Sequence, residues 1–406
     1  MRVFVTGMGA ITSLGNSVES FFNGLVENQS GIKYFPEWEN YVGLQTYVGG
    51  PVGDYNTSLL PRTVRRSMSR MSEMAVLATF QALEHAKFTD LKKLQSSRTL
   101  LILGSTSGSP FALETYFRKI FEKNGPQGQL STSFFKIMNH SVAANVAAAL
   151  EFNGSLLSPS SACATSTQAM ILGWEMIKSG LYDVVIAGGA DELHFLSAAI
   201  FDIVQAASRK YKTQPESSSR PFDQARDGLV VSEGAGIVVL ESEAFAKARN
   251  ATSIAEIRGG SYICDGSHMT QSSSSVMAQT MRYAIQRSDI TQNEINYINA
   301  HATGTIQGDI EEARAIEEIF GDSVPVSSLK GHMGHSLAAC GALEAIASIK
   351  MMEHDVLIPT KNLVIIDEEC RGINLLQKIQ NGRVKTFMSN NFAFGGMNTS
   401  ILFSKV

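Results

Sequence analysis

The stretch SSACATSTQAMILGWEMIKSG, residues 160–180, crowds small side chains around one thiol, Cys163, and then turns helical. Met170, Ile171, Trp174 and Ile177 recur at helical spacing, so the helix predicted here starts close to the thiol. A short strand, LLSPS, runs into this stretch, and the strand YDVVIAGGADE follows it. The same order returns in the second half of the chain. There VPVSS (324–328) leads to KGHMGH, then to the small-residue helix SLAACGALEAIASIKMM, then to VKTFMSNNFAFGGMN. Each half places chemically capable residues where a strand gives way to a helix. Two such halves packed together predict an α/β fold with both junctions facing one pocket.

Other segments fit the same alternation. Strand-like runs lie at 3–7, 100–105, 183–189, 236–242, 295–301, 324–328 and 399–404. Helical runs at 71–87, 167–180, 276–288, 310–320 and 343–354 separate most of them. SSSRPFD (217–223) and QSSSSV (271–276) read as polar loops within the fold. The 406 residues are 44% hydrophobic and 18% charged, enough for a large core in one domain or two intimate halves. A formal net charge of -4 argues against nucleic acid as the main partner. No apolar run is long enough to span a bilayer, and MRVFVTGMGAITSLG opens as a strand rather than a signal peptide. Cys163, Cys264, Cys340 and Cys370 are far apart with no CxxC pair, which predicts a reducing, cytoplasmic setting.

At a helix start, unpaired N–H groups and the helix dipole favour a thiolate, so Cys163 is a candidate nucleophile. Unaided, such a cysteine more often packs as an inert small hydrophobe, which is the reading for the other three. Two histidine segments shift the balance. INYINAHATGTIQGD places His301 just past a strand, and SSLKGHMGHSLAACG places Lys330, His332 and His335 at the second helix start. A thiol, imidazoles and a lysine at strand ends make an acyl-transfer site. A metal site is the rival, because His332 and His335 are three apart, but no carboxylate or thiol spacing completes it; no metal is predicted. His85, His140, His194, His268 and His354 read as structural. The Gly pair of NNFAFGGMNTS (390–400) reads as a tight turn between strands, or as a loop whose N–H groups face an oxyanion.

Taken together these segments resemble the β-ketoacyl-acyl-carrier-protein synthases, elongating condensing enzymes of the thiolase superfamily. VFVTGMGAITSLGNSVESFFNGL, SSACATS, RPFDQARDGLVVSEGAGIVVLE, NAHATGTIQGDIEEARAI, SSLKGHMGHSLAACGALEAI and NNFAFGGMN carry the resemblance over nearly the whole chain. It implies a thiolase-like fold, duplicated halves in a five-layer αβαβα sandwich. Residues 1–245 would form the half with the nucleophile, and 246–406 the half with both histidines. It also implies decarboxylative Claisen condensation of an acyl thioester with malonyl carrier protein, lengthening a fatty acid, aryl polyene or polyketide chain by two carbons.

Carried over by position, Cys163 becomes the thioester, His301 and His335 stabilise the malonyl enolate, and Lys330 orders the site. Asp309, Glu312 and Glu344 match acids that support the histidine and lysine positions; their bland reading is surface helix charge. Cys163 and Phe394 would supply the oxyanion N–H groups, with Phe394 also the gate. Thr303 and Thr305 match contacts to the phosphopantetheine arm, and Phe392 joins them in binding substrate. No cofactor is expected to stay bound, since substrates ride on the arm of acyl carrier protein. That acidic partner predicts a basic docking face: Arg62, Arg65, Arg66 and Arg70 from one segment, Arg209 and Lys210 from another. The resemblance also implies a dimer, either of like chains or with a related synthase-like subunit.

The chain departs from the family pattern at Ala393 and Met397, which replace a Gly and a Thr. A β-carbon at 393 is expected to restrict the loop, and Met397 to narrow or reshape the site. These departures leave room for a specialised polyene or polyketide synthase. The alternatives are a non-catalytic chain-length-factor-like partner, which the intact Cys163, His301, His335 and Lys330 argue against, and a cysteine hydrolase, which no motif supports.

Overall fold

The computed structural model describes residues 1–60, 62–88, 90–267, 269–270 and 273–406. His268 and the first two residues of the 271–276 loop lie outside the described residues. Eleven strands form one mixed sheet: β1 (Val3–Thr12), β2 (Thr99–Gly104), β3 (Ser155–Leu157), β4 (Val184–Asp191), β5 (Gly234–Ser242), β6 (Ala255–Cys264), β7 (Tyr297–Asn299), β8 (Pro325–Ser327), β9 (Asn374–Leu375), β10 (Thr386–Phe392) and β11 (Met397–Lys405). Their spatial order contains one pattern twice. The first half runs β1-β5-β4-β2-β3 and the second β6-β11-β10-β7-β8, with β9 added at the far edge. In both halves the first two neighbours pair antiparallel and the next two parallel. The halves join where β1 meets β6 antiparallel, Val3 opposite Ile257.

Helices α1 (Arg70–His85) and α4 (Ser141–Ala149) cover the outer face of the first half. Helix α7 (Ser274–Gln286) covers the second, with α8 (Ile306–Phe320) packed on it. Between the two halves lie α5 (Thr165–Lys178) and α9 (Cys340–His354), which touch each other. Helix α5 meets β4 and β2 on one side and β6 and β11 on the other; α9 spans β5 and β10. The result is five layers, αβαβα. This placement accounts for the small residues of the opening stretch and of its counterpart. A central helix meets protein on every face, and α9 is buried at every position from Cys340 to Met352. At Gly341 a β-carbon would come within 1.9 Å of Thr167 Oγ1, so only glycine lets the two helices approach.

Each central helix is entered through the same turn. Ala162 (φ 46°) opens the 3₁₀ turn Ala162–Ala164 before α5, and Leu337 (φ 51°) opens Leu337–Ala339 before α9. A left-handed conformation is costly for a side chain as bulky as leucine and needs surrounding packing to hold it. Leu337 gets that packing in a cluster with Phe201 and Leu229. The two turns touch, and so the repeated strand-to-helix junctions meet at one point.

Candidate active site

Cys163 lies in the turn before α5, and its Sγ is 2.9 Å from Nε2 of His335. His301 stands just beyond β7, its ring edge-on to His335 with centroids 5.3 Å apart. The donor atoms of all three residues lie within 4.8 Å of one another. The chain brings them together from positions 138 and 172 residues past the cysteine because the two junctions converge. Burial pushes the Cys163 thiol up to about 12, with the nearby Lys330 ammonium acting the other way. The resting group is therefore a thiol, not the thiolate that the helix start alone led us to expect; loss of solvent outweighs the helix end. Its proton has an acceptor at hydrogen-bond distance in His335.

Burial, aided by Lys330, also pushes both imidazoles well below their ordinary 6.5. Both are neutral and can donate N–H without adding positive charge. Asn391 Nδ2 lies 3.4 Å from His301 Nδ1. An amide N–H donated there leaves the His301 proton on Nε2. His335 Nδ1 has no partner among the described residues, so this ring takes whichever tautomer suits the group opposite Nε2. A pH consequence follows. Because the lowered values keep the imidazoles neutral below the usual range, any reaction step in which they donate N–H is expected to hold its rate as pH falls from 8 through 6.5. A rate profile with an acid limb centred near 6.5 would contradict this placement.

The three acidic residues are buried, not surface charge. Glu312 accepts N–H bonds from His301 at 2.8 Å and Ala302 at 2.6 Å. Asp309 accepts from Thr303 at 3.0 Å, Gly304 at 3.1 Å and Phe222 at 2.8 Å. Burial pushes Glu312 to about 8 and Asp309 to about 6, while these backbone donors pull both down. Together they pin the loop carrying His301. Glu344, on α9, pairs with Lys330 in the interior and accepts from Asn391 Nδ2 at 2.8 Å. Asn391 thus links the Lys330–Glu344 pair to His301, a role the sequence reading missed. The available signal was an amide inside a buried strand, which must find partners. Arg226 was missed as well: buried between Asp309 and Asp367, it also donates to the carbonyls of Thr305 and Ile306. His332 is buried, but the converging donor set does not include it.

A cavity of about 300 Å³ opens beside Cys163, His301 and His335. Thr303, Thr305, Phe392 and Phe394 line it, with Phe201 and Met277. Phe394 leans on Phe201, ring centroids 5.7 Å apart. It belongs to the hairpin turn between β10 and β11, where Gly395 (φ 84°) and Gly396 (φ 77°) take the left-handed conformations. Ala393 does not, and its β-carbon imposes no strain there. Met397 pairs with Cys264 in the sheet and is absent from the cavity wall, so it does not narrow the site as expected.

The basic residues divide into two groups. Arg62, Arg65, Arg66, Arg70 and Lys210 are exposed, and Arg65 lies 3.5 Å from the Glu73 carboxylate. Arg70 also holds the buried Glu233 carboxylate and the Val52 carbonyl, and the partly buried Arg209 holds Asp202. Those two are committed within the fold, because a buried carboxylate needs a cation.

The Beta-ketoacyl synthase, N-terminal domain family matches residues 1–246, and the Beta-ketoacyl synthase, C-terminal domain family matches residues 254–364. The 3-oxoacyl-[acyl-carrier-protein] synthase 1 of Escherichia coli (strain K12) is 36% identical over 409 residues, covering 100% of this chain and 99% of that protein. Among solved structures, a beta-ketoacyl synthase from Burkholderia phymatum STM815 superposes with a TM-score of 0.96 at 38% identity, over 100% of this chain and 99% of the other. The ishigamide ketosynthase/chain length factor superposes with a TM-score of 0.93 at 28% identity, over 100% and 99%.

Proposed function

The chain belongs to the β-ketoacyl synthase family and is an elongating β-ketoacyl synthase, an acyltransferase; on that basis we propose the following assignment of its residues, substrates and partners. The observation that carries it is the meeting of Cys163, His301 and His335 within 4.8 Å at the inner end of one cavity. The thiol passes its proton to His335, and sulfur attacks the acyl thioester carbonyl while the N–H groups of Cys163 and Phe394 hold the oxyanion. The carrier thiol leaves with a proton, and the acyl group stays on Cys163. The malonyl thioester then enters along Thr303 and Thr305, beside Phe392 and the Phe394 gate. Its carbonyl oxygen takes N–H bonds from His301 and His335, and carbon dioxide leaves. The resulting carbanion attacks the acyl carbonyl, the C–S bond to Cys163 breaks, the sulfur takes a proton through His335 that solvent replaces, and a β-ketoacyl chain two carbons longer departs on the carrier arm. Lys330 and Glu344 stabilise the arrangement; Asp309 and Glu312 keep His301 in place.

No resident cofactor enters this scheme. The pathway is one in which carrier-bound chains are lengthened, whether fatty acyl, aryl polyene or polyketide. Division of the chain near residue 245 into a nucleophile half and a histidine half is supported by the repeated strand order. Four free thiols favour a reducing, cytoplasmic setting. Among the described residues, no helix is long and apolar enough to cross a membrane.

A second subunit is supported by the surface. Strand β3 is an open sheet edge, and α2 (Pro110–Lys123) and α3 (Ser131–Ile137), which touch each other, expose Phe117, Phe121, Phe134 and Phe135, Phe121 by 74%. An open edge and a clustered apolar surface mark a subunit interface. The partner is a second copy or a related synthase-like chain.

The test is to incubate the protein with an acyl carrier protein and malonyl carrier protein and weigh the carrier-bound products. A carrier bearing a β-ketoacyl chain two carbons longer is expected. Free acid instead would favour a hydrolase, and no reaction with a folded protein would favour a non-catalytic subunit. Carrier docking has its own test. Changing Arg62, Arg65 and Arg66 together to Glu is expected to lower kcat/KM for carrier-bound acyl groups roughly 10- to 100-fold, mainly at low salt. Turnover of a short pantetheine thioester should be unaffected. Equal losses on both substrates would remove these arginines from the docking face.

A further inference from the structure

Thr167 lies on α5, one helical turn past Cys163, and is fully buried. Its hydroxyl donates to Oδ1 of Asn391, which is buried on β10 and takes no other donor among the described residues. The two groups meet beside Gly341 of α9. A β-carbon there would come within 1.9 Å of Thr167 Oγ1 and 2.6 Å of Asn391 Oδ1, so the fold keeps this space open for one hydrogen bond.

The other end of the amide faces the catalytic groups. Nδ2 donates to Glu344 Oε2 at 2.8 Å and lies 3.4 Å from His301 Nδ1. Cys340 Sγ is 3.5 Å from Nδ2 and gives its own proton to the Cys163 carbonyl at 3.2 Å. Asn391 is thus fixed from both sides: the Glu344 carboxylate accepts from its nitrogen, and the Thr167 hydroxyl donates to its oxygen.

The direction of this amide decides where His301 keeps its proton. The ring is neutral, because burial and Lys330 push its pKa well below 6.5. A neutral imidazole carries a single N–H. With the amide nitrogen against Nδ1, that N–H is on Nε2, the nitrogen left for the malonyl oxygen. Without the Thr167 hydroxyl, Oδ1 would be buried with no donor, and the amide would gain by turning toward one. His301 in its other tautomer supplies such a donor from Nδ1, and Nε2 then offers the malonyl oxygen a lone pair instead of a proton. His335 stands apart from this chain of bonds, with Nε2 against Cys163 Sγ at 2.9 Å.

We propose that Thr167 is a positioning residue that sets the tautomer of His301 through Asn391, so that the helix carrying the nucleophile also directs the N–H that receives the malonyl oxygen. The inference rests on the condensation scheme above for the identity of that oxygen. It separates two half-reactions: losing the hydroxyl weakens decarboxylation and spares acyl loading.

The experiment compares wild type, Thr167→Val, which keeps the shape and removes the donor, and Thr167→Ser, which keeps the donor. Three quantities are read: loading of Cys163 from an acyl carrier protein by intact mass, carbon dioxide release from malonyl carrier protein, and the NMR signals of nitrogen-labelled histidines, with His301→Asn assigning those of His301. Wild type should carry the His301 proton on Nε2. Thr167→Val should move it partly to Nδ1 and lower kcat for carbon dioxide release roughly 5- to 20-fold, with KM within about twofold and loading within about threefold of wild type. Thr167→Ser should recover both tautomer and rate. If the valine variant does not fold, Thr167→Ala removes the same donor and should move both readouts in the same direction. A wild-type His301 proton on Nδ1 overturns the proposal, as does a folded variant without the hydroxyl that keeps the wild-type tautomer, or one whose tautomer moves while carbon dioxide release does not. A serine variant that behaves like valine, or parallel loss of loading and carbon dioxide release, also overturns it. Wild type that releases no carbon dioxide, with the tautomer still moving in Thr167→Val, overturns the condensation scheme and supports the tautomer setting.

Discussion

Cys163→Ala is expected to stop condensation, lowering the rate roughly ten-thousand-fold or more, while leaving the protein folded. The side chain lost is small, and the turn that carries it is held by backbone geometry and by contact with the Leu337–Ala339 turn. What disappears is the atom that bonds the acyl group. Incubation with an acyl carrier protein should leave the variant's mass unchanged and add one acyl group to wild type. The two neutral imidazoles remain in place, so the variant should still release carbon dioxide from malonyl carrier protein without joining carbon to it. Acyl mass on the variant would move the nucleophile to another thiol, Cys340 being the nearest candidate, since it donates to the Cys163 carbonyl at 3.2 Å. Loss of both half-reactions in a folded variant would mean that the thiol also supports decarboxylation.

Glu344→Ala should be the most destabilising change near the site. Lys330 and Glu344 are both 0% exposed and pair with each other. Burial works against the Lys330 charge, but Glu344 and its acidic neighbours hold its pKa above the ordinary value. Without Glu344 an ammonium remains in the interior without its salt-bridge partner, and Asn391 loses its acceptor. A loss of about 3–5 kcal/mol is expected, read as a lower midpoint in denaturant unfolding. Removing both charges separates stability from function. Lys330→Met with Glu344→Leu, of similar volume, should regain most of the stability, because no charge is left unpaired. It should not regain activity: the imidazoles lose the cation that helps keep them neutral, and Asn391 no longer has Glu344 to orient it toward His301. Recovery of activity in the double variant would reduce the pair to packing.

The legibility of this chain differed from element to element. Long buried strands and helices announced themselves by periodicity; α5, α8 and α9 begin within four residues of their expected starts. Strand β6 was missed because AEIRGGSYIC interrupts its apolar run with charge and two glycines. Those glycines serve packing that cannot be seen locally: a β-carbon on Gly259 would meet the Ala284 carbonyl at 2.6 Å, and one on Gly260 would meet Ile171 at 2.8 Å. The basic segments were read as one docking face because charge along a chain does not reveal its partners. Folding paired Arg70 and Arg209 with buried carboxylates and Arg65 with Glu73, and left Arg62, Arg66 and Lys210 facing solvent without an ion pair among the described residues.

The sequence by itself determined the inventory and its repetition: one thiol and two histidines at strand ends, a lysine with acids in helical register, and small residues before two helices. These are local properties, decided by periodicity and by side-chain size, and they persist in any conformation of the chain. Only the tertiary structure decided what the inventory does. Convergence of the two turns sets His335 against Cys163. Burial then reverses the expected thiolate, neutralises both imidazoles and turns Asn391 into a link between segments far apart in the chain. The physical reason is that protonation and hydrogen bonding depend on what surrounds a group in space. Here those surroundings come from segments up to about two hundred and twenty residues away, brought together by the two halves of one sheet closing on a shared pair of helices.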